Sequence, residues 1–295
     1  MSAPYSFAAA QAYYDRQYNA RASVQDVPAL IARYAGESQA AHALPGAVRD
    51  QAYGPGASDL LDIYPAAQPG APVLFFIHGG YWRALSKNES AFMAPALNAA
   101  GATVVVPDYD LAPAASLDHI VDQMRRALAW TFAHIARWGG DPERICVSGS
   151  SAGGHLTGML VAGGWQAAYG LRDTAVAAAA FPLSGLFDLQ PLLHTEINGW
   201  MGLDDAAAQR NSPRFQLPSH LSHAHCALRV ACGEFESLEF KRQSTEYLAA
   251  WKARCLPGQW VQAPGTNHFD LPLELGQAGS AVHRTALELL GLDAG

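Results

Sequence analysis

Gly149-Ser150-Ser151-Ala152-Gly153 sets a serine between two glycines in a GxSxG pattern. A serine hydroxyl attacks a carbonyl well only when a neighbouring base takes its proton. The pattern suits that chemistry when a strand leads in and a helix leads out, because the turn then lifts the hydroxyl above a sheet. Residues 145–147 read as such a strand and 154–161 as such a helix. A plain Gly/Ser turn would carry the same letters, so the motif gains weight only from its companions. One companion is His78-Gly79-Gly80-Tyr81-Trp82, placed directly after the apolar run 73–77. Acyl transfer puts negative charge on the carbonyl oxygen, and two backbone N–H groups are needed to hold it. The Ala152 N–H would supply one, and Gly79, Gly80 or Tyr81 the other.

The base and its orienting acid should follow in the order serine, carboxylate, histidine. Of eleven histidines, His268 stands out, in the loop Gly265-Thr266-Asn267-His268-Phe269 near the C-terminal end of the chain. His283 falls inside a helical pattern and reads as a surface or packing residue. For the acid, Glu236 and Glu234 both follow the strand-like run 228–232, and spacing barely separates them. Asp188 follows an earlier run and is a third candidate. Tyr81, Trp82, Phe187 and Trp200 are candidates to line an aromatic leaving-group pocket, with core packing as the ordinary use of each.

These groups lie far apart in sequence, so a fold must bring them together. The runs 73–77 and 103–106 are continuous, β-branched and aromatic, as strands buried on both faces are. The runs 145–147, 176–181, 228–232 and 260–262 extend the series. Between them lie helical patterns at 118–138, 237–255 and 280–290; in the first, Ile120, Met124, Leu128, Thr131 and Ile135 share one stripe. Gly139-Gly140 should end that helix, with Asp141-Pro142 turning into the next strand. The alternation predicts an α/β class: a mostly parallel, doubly wound sheet with helices on both faces. Residues 1–45 read as helical, with Ser23 and Asp26 as candidate caps before Pro28. Residues 187–221 break the rhythm and read as an insertion. With no visible linker, 1–295 is expected to be one domain, capped by the N-terminal helices and the insertion.

Composition agrees. Half of the 295 residues are apolar and 15% are charged, which supplies a large core and excludes disorder as the main state. A formal net charge of −7 argues against a nucleic-acid partner. No apolar stretch is long enough to span a bilayer, and no targeting segment is visible, so a cytoplasmic protein with a small-molecule substrate is expected. The four cysteines show no CxxC spacing. His220, His223, His225 and Cys226 cluster, but they match no zinc framework, so no metal and no cofactor is expected. Self-association into a homo-oligomer is compatible with all of this. A hydrolase scaffold can also serve as a non-catalytic binding module, although such modules usually lose part of the constellation.

At this point the chain resembles the kynurenine formamidase (arylformamidase) branch of the α/β-hydrolase fold, over about residues 70–275. His78-Gly79-Gly80-Tyr81-Trp82 followed by Ser90-Ala91-Phe92-Met93 is similar to that branch's oxyanion loop and the helix after it. Pro107-Asp108-Tyr109, Leu111-Ala112-Pro113 and Ser151-Ala152-Gly153-Gly154-His155-Leu156 are shared with esterases more widely. Ser184-Gly185-Leu186-Phe187-Asp188-Leu189, Glu236-Ser237-Leu238-Glu239-Phe240, Gln243-Ser244 and Asn267-His268-Phe269-Asp270 favour the formamidase branch. The resemblance implies Ser151 as nucleophile, His268 as base and Glu236, rather than Glu234, as acid. It departs in one respect: the branch carries Asp at the acid position, and Glu is one methylene longer. The activity it implies is hydrolysis of an N-formyl aryl amide or a small ester, with a broad carboxylesterase as the alternative.

Overall fold

The computed structural model describes residues 7–172 and 177–293. Eight strands form one sheet: β1 (Val48–Ala52), β2 (Leu60–Tyr64), β3 (Ala71–Ile77), β4 (Thr103–Pro107), β5 (Gly140–Ser150), β6 (Ala179–Leu183), β7 (Ala227–Ala231) and β8 (Gly258–Val261). Their spatial order is β1-β2-β4-β3-β5-β6-β7-β8. Strands β3 to β8 run parallel, while β2 is antiparallel to both β1 and β4. The helices are α1 (Phe7–Tyr18), α2 (Val27–His42), α3 (Ala94–Ala99), α4 (Leu117–His134), α5 (Ala152–Leu160), α6 (Asn198–Met201), α7 (Asp205–Arg210), α8 (His220–His223), α9 (Leu238–Ala253), α10 (Asp270–Leu273) and α11 (Ala281–Leu290).

Every residue of β3 and β4 is buried, which is why their sequences are unbroken apolar runs rather than alternating ones. The pleat still divides the side chains. Val73, Phe75 and Ile77 join a core with Leu128 of α4, Leu156 of α5 and Trp251 of α9. Leu74 and Phe76 face the other way, onto Tyr34 of α2, Leu97 of α3 and Leu287 of α11. Each such side chain contributes roughly 1.5–3 kcal/mol by leaving water. Helix α5 is buried throughout its nine residues and is wedged between the sheet and α4, so its sequence is rich in glycine and apolar residues. Its two polar side chains, His155 and Thr157, are hydrogen-bonded to Asn211 O and Gly153 O.

The N-terminal pattern resolves into α1, a short 3-10 turn and α2, with the Asp26 carboxylate accepting from the Ala29 N–H at 2.9 Å and Pro28 in the first turn. Residues 1–6 of the expected helical segment lie outside the described residues, as does Val176 at the head of the run 176–181. The corresponding strand runs Ala179–Leu183. Three expectations change. Gly139, in a left-handed conformation at φ 76°, does end the α4 segment, but Gly140 already pairs with Ala71, so Asp141 and Pro142 lie inside β5 instead of a turn. Ser90, Ala91, Phe92 and Met93 precede α3 instead of forming a helix. Strands β1 and β2 have no counterpart among the expected strands. Asp62 hides β2 from an apolar pattern, yet it is fully buried because Lys87 Nζ lies 2.9 Å from it and Arg49 Nε 2.5 Å.

Candidate active site

The parallel strands end on one side of the sheet, and the candidate residues follow those ends: His78 after β3, Ser151 after β5, Glu236 beyond β7 and His268 beyond β8. Ser151 sits at φ 58°, ψ −116°, outside the usual basins for a non-glycine residue, between the last residue of β5 and the first of α5. Its N–H donates to Leu183 O at 2.9 Å, which pins the turn to the end of β6. The flanking glycines have a steric cause. A Cβ on Gly149 would lie 2.4 Å from Gly153 O, and one on Gly153 would lie 2.0 Å from Ile77 O.

The His78-Gly79-Gly80 loop lies against this turn. A Cβ on Gly79 would meet Ser150 O at 2.8 Å and Ser151 Cβ at 3.3 Å. Gly80 has φ 98°, and its carbonyl accepts from the N–H groups of Arg83 and Ala84 at 3.0 and 3.1 Å. The Tyr109 hydroxyl donates to His78 O and Gly79 O at 3.0 and 3.2 Å, and its ring stacks on His78 at 4.1 Å between centroids. The His78 ring spans Gly79 O and the Asp108 carboxylate, at 2.9 and 3.2 Å. A loop held at so many points can present backbone donors without reorganising when charge appears.

His268 and Glu236 form a buried pair, with Nδ1 2.6 Å from Oε2 and side-chain exposures of 6% and 1%. The other oxygen of Glu236 accepts from Gly233 N–H at 2.6 Å and from the Ser184 hydroxyl. Burial pushes the Glu236 carboxyl up, but the His268 charge and hydrogen bond, with the Ser184 and Gly233 donors, bring it below its ordinary value. Glu234 is exposed and accepts from Gly265 N–H at 2.7 Å, and Asp188 caps Gln190 N–H at 3.1 Å. Of the three carboxylates, Glu236 is the one hydrogen-bonded to His268. Ser184 was not among the candidate site residues, although its place at the end of β6, level with Ser151 on β5, is a usable signal.

Ser151 and His268 line one cavity of about 850 Å³, together with Gly79, Gly80 and Tyr81. Much of the opposite wall comes from the N-terminal segment, including Tyr18, Ala22 and Tyr34, and Trp200 of α6 comes from the insertion. Tyr81 donates its hydroxyl to Tyr18 O, joining the Gly-rich loop to α1. Tyr18 in turn donates to Glu239 at 2.9 Å and accepts from Gln243 at 2.7 Å, both on α9. Trp82 and Phe187 lie elsewhere. Trp82 is fully buried with its ring perpendicular to His155 at 5.0 Å, and Phe187 stacks on Tyr247 at 4.2 Å. Among the described residues, no group of three His, Cys, Asp or Glu could hold a metal ion.

The structure thus brings a strained serine at a strand-to-helix turn, a Gly-rich loop against it and a histidine on a buried carboxylate to one end of the sheet, the groups that acyl transfer by a serine uses. The family model of the alpha/beta hydrolase fold matches residues 74–269. The chain belongs to the alpha/beta hydrolase family. This hydrolase is 31% identical to kynurenine formamidase from Danio rerio over 283 residues, covering 95% of this chain and 94% of that protein. It is 36% identical over 248 residues to Esterase LipQ from Mycobacterium tuberculosis, covering 75% of this chain and 57% of that one. The solved esterase of Pyrobaculum calidifontis is 19% identical and superposes with a TM-score of 0.69 over 90% of this chain and 94% of its own. That last likeness speaks for the fold alone. In this hydrolase no described helix is long and apolar enough to cross a membrane.

Proposed function

We propose that the protein is a serine hydrolase acting on an N-formyl aryl amide of the N-formylkynurenine kind, through Ser151, His268 and Glu236. The observation that carries this reading is the buried 2.6 Å Glu236–His268 pair, set in the same cavity as the strained Ser151 turn. Glu236 fixes the proton on Nδ1, so Nε2 offers its lone pair to the Ser151 hydroxyl as Oγ attacks the formyl carbon. The proton moves to Nε2, and Glu236 stabilises the imidazolium. The N–H groups of Ala152 and of the Gly79, Gly80 and Tyr81 stretch receive the oxyanion, each donor worth roughly 3 kcal/mol in comparable sites. Collapse of the tetrahedral intermediate passes the Nε2 proton to the departing aryl amine. Water, activated by the same imidazole, then releases formate and restores Ser151.

An aryl amine is a better leaving group than an alkyl amine, so such a formamide demands little more of the site than an ester does. Tyr81 and Trp200 supply aromatic surface for the leaving group. The single-domain reading suits this chemistry, since residues from 18 to 268 must meet at one cavity, with the N-terminal helices and 187–221 serving as its cap. A broad carboxylesterase is the second reading, favoured by the 36% identity to Esterase LipQ. Comparing kcat/KM for N-formylkynurenine with that for p-nitrophenyl acetate decides between them. A preference for the formamide is expected, and a strong preference for the ester overturns the formamidase reading. Covalent labelling of Ser151 by a serine-directed phosphonate separates both from a non-catalytic binding module.

A further inference from the structure

Three arginines, Arg16, Arg21 and Arg83, line the cavity that holds Ser151 and His268. Arg49, Arg126, Arg214 and Arg242 are each engaged by carboxylates, whereas none of these three is in an ion pair among the described residues. Two carboxylates line the same cavity, Asp15 and Glu196, and Asp15 is already occupied in accepting the Glu196 N–H at 2.7 Å. In a chain of net charge −7, a cavity with three unpaired guanidinium groups and two carboxylates runs against the overall balance.

Arg83 differs from the other two in how firmly it is held. Its N–H donates to Gly80 O at 3.0 Å, so its backbone is part of the Gly-rich loop. Its guanidinium lies 4.7 Å from the centre of the Trp200 ring. Stacking occupies the flat face of a guanidinium and leaves the in-plane N–H fork free, and that fork matches a carboxylate in two parallel hydrogen bonds. Lysine offers neither the plane nor the fork.

We propose that Arg83, stacked on Trp200, binds a carboxylate on the leaving-group side of the substrate, so that the site selects anionic amides and esters over neutral ones. Arg16 and Arg21 raise the positive potential of the same cavity. The placement rests on the hydrolytic reading above: a formyl or acetyl group has no carboxylate, so the anion must belong to the other fragment.

The test uses two acetate esters that differ only in charge, 3-(4-acetoxyphenyl)propionate and 3-(4-acetoxyphenyl)propanamide. The quantity read is the ratio of their kcat/KM values within each variant. Wild type is expected to favour the carboxylate by about tenfold, as one charge-assisted pair at a partly solvated site gives. Arg83→Gln is expected to bring the ratio close to one, mainly through KM. Arg83→Lys should recover part of it, and Trp200→Leu should lower it by releasing the guanidinium. No preference in wild type, or an unchanged ratio in Arg83→Gln, overturns the proposal. Should Arg83→Gln fail to fold, an unchanged ratio in both Arg83→Lys and Trp200→Leu has the same force. Absence of turnover of N-formylkynurenine would sink the formamidase reading while leaving the ester ratio readable.

Discussion

Glu236 divides its carboxylate between two tasks, with Oε2 on His268 Nδ1 at 2.6 Å and Oε1 on Gly233 N–H at 2.6 Å. The second contact fixes the carboxylate plane, so the extra methylene of Glu does not leave the acid loose. Glu236→Gln keeps the size and removes the charge. It is expected to lower kcat by about 10²–10⁴-fold with little change in KM, since the imidazolium loses its counter-charge. Steady-state kinetics on p-nitrophenyl acetate check this.

The same group sets an acid limit on stability. Its folded pKa lies below the ordinary value of 4.5, so its stabilising share is fully present above that pH and is lost as pH falls through the folded value. Melting temperatures measured at pH values from neutrality downward should fall less steeply below about pH 4.5 in Glu236→Gln than in wild type.

Ser151→Ala should remove hydrolysis by about 10⁴-fold or more while leaving the fold intact, because the left-handed turn is imposed by its neighbours and not by the hydroxyl. Residual ester hydrolysis above about one part in a thousand would sink the assignment of Ser151 as nucleophile.

Gly153→Ala tests the packing that supports that turn. A Cβ there lies 2.0 Å from Ile77 O and 2.7 Å from His78 O, both backbone atoms that cannot swing aside. Urea unfolding is expected to show a loss of about 3 kcal/mol or failure to express as folded protein. Gly199→Ala, with nothing within 4 Å of the added carbon, is the control.

His155 gives a different pH dependence. It is fully buried on α5, and burial, only partly offset by its hydrogen bond to Asn211 O, lowers its pKa to about 4. Its Nε2–H donates to Asn211 O at 2.7 Å, tying the insertion to the helix that begins after Ser151. A histidine held neutral contributes stability above its unfolded pKa of about 6.5 that drains away as pH falls toward 4. His155→Gln is expected to be less stable at pH 7 by about 1–2 kcal/mol, with a flatter stability profile between pH 6.5 and 4. Chemical denaturation at stepped pH reads both effects.

What the sequence made legible follows from how each residue is used. Ser151 and His268 stand in loops after strands, where glycine and turn residues mark a functional position, and both line the cavity. Glu236 and Glu234 could not be separated by spacing, because only the folded loop shows that one faces inward to His268 and the other outward to Gly265 N–H. Tyr81 and Trp82 are adjacent aromatics, yet one lines the cavity and the other is sealed in the core. Sequence letters do not record that choice. Strands β1 and β2 stayed hidden because their buried carboxylate, Asp62, is matched by cations from elsewhere in the chain.

The cavity wall built by the first helices has a consequence for how the molecule is made. Tyr18 finds its partners at Glu239 and Gln243, and Tyr34 donates to Phe269 O, more than two hundred residues further on. During synthesis these helices leave the ribosome long before their partners on α9 and in the loop around Phe269 exist, although Tyr81 and Phe92 follow them closely. The β3–β5 core can form around Ser151 while the site still lacks His268 and one wall. Closing that wall is therefore a late event in maturation, because the polar contacts that fix Tyr18 and Tyr34 need the last quarter of the chain.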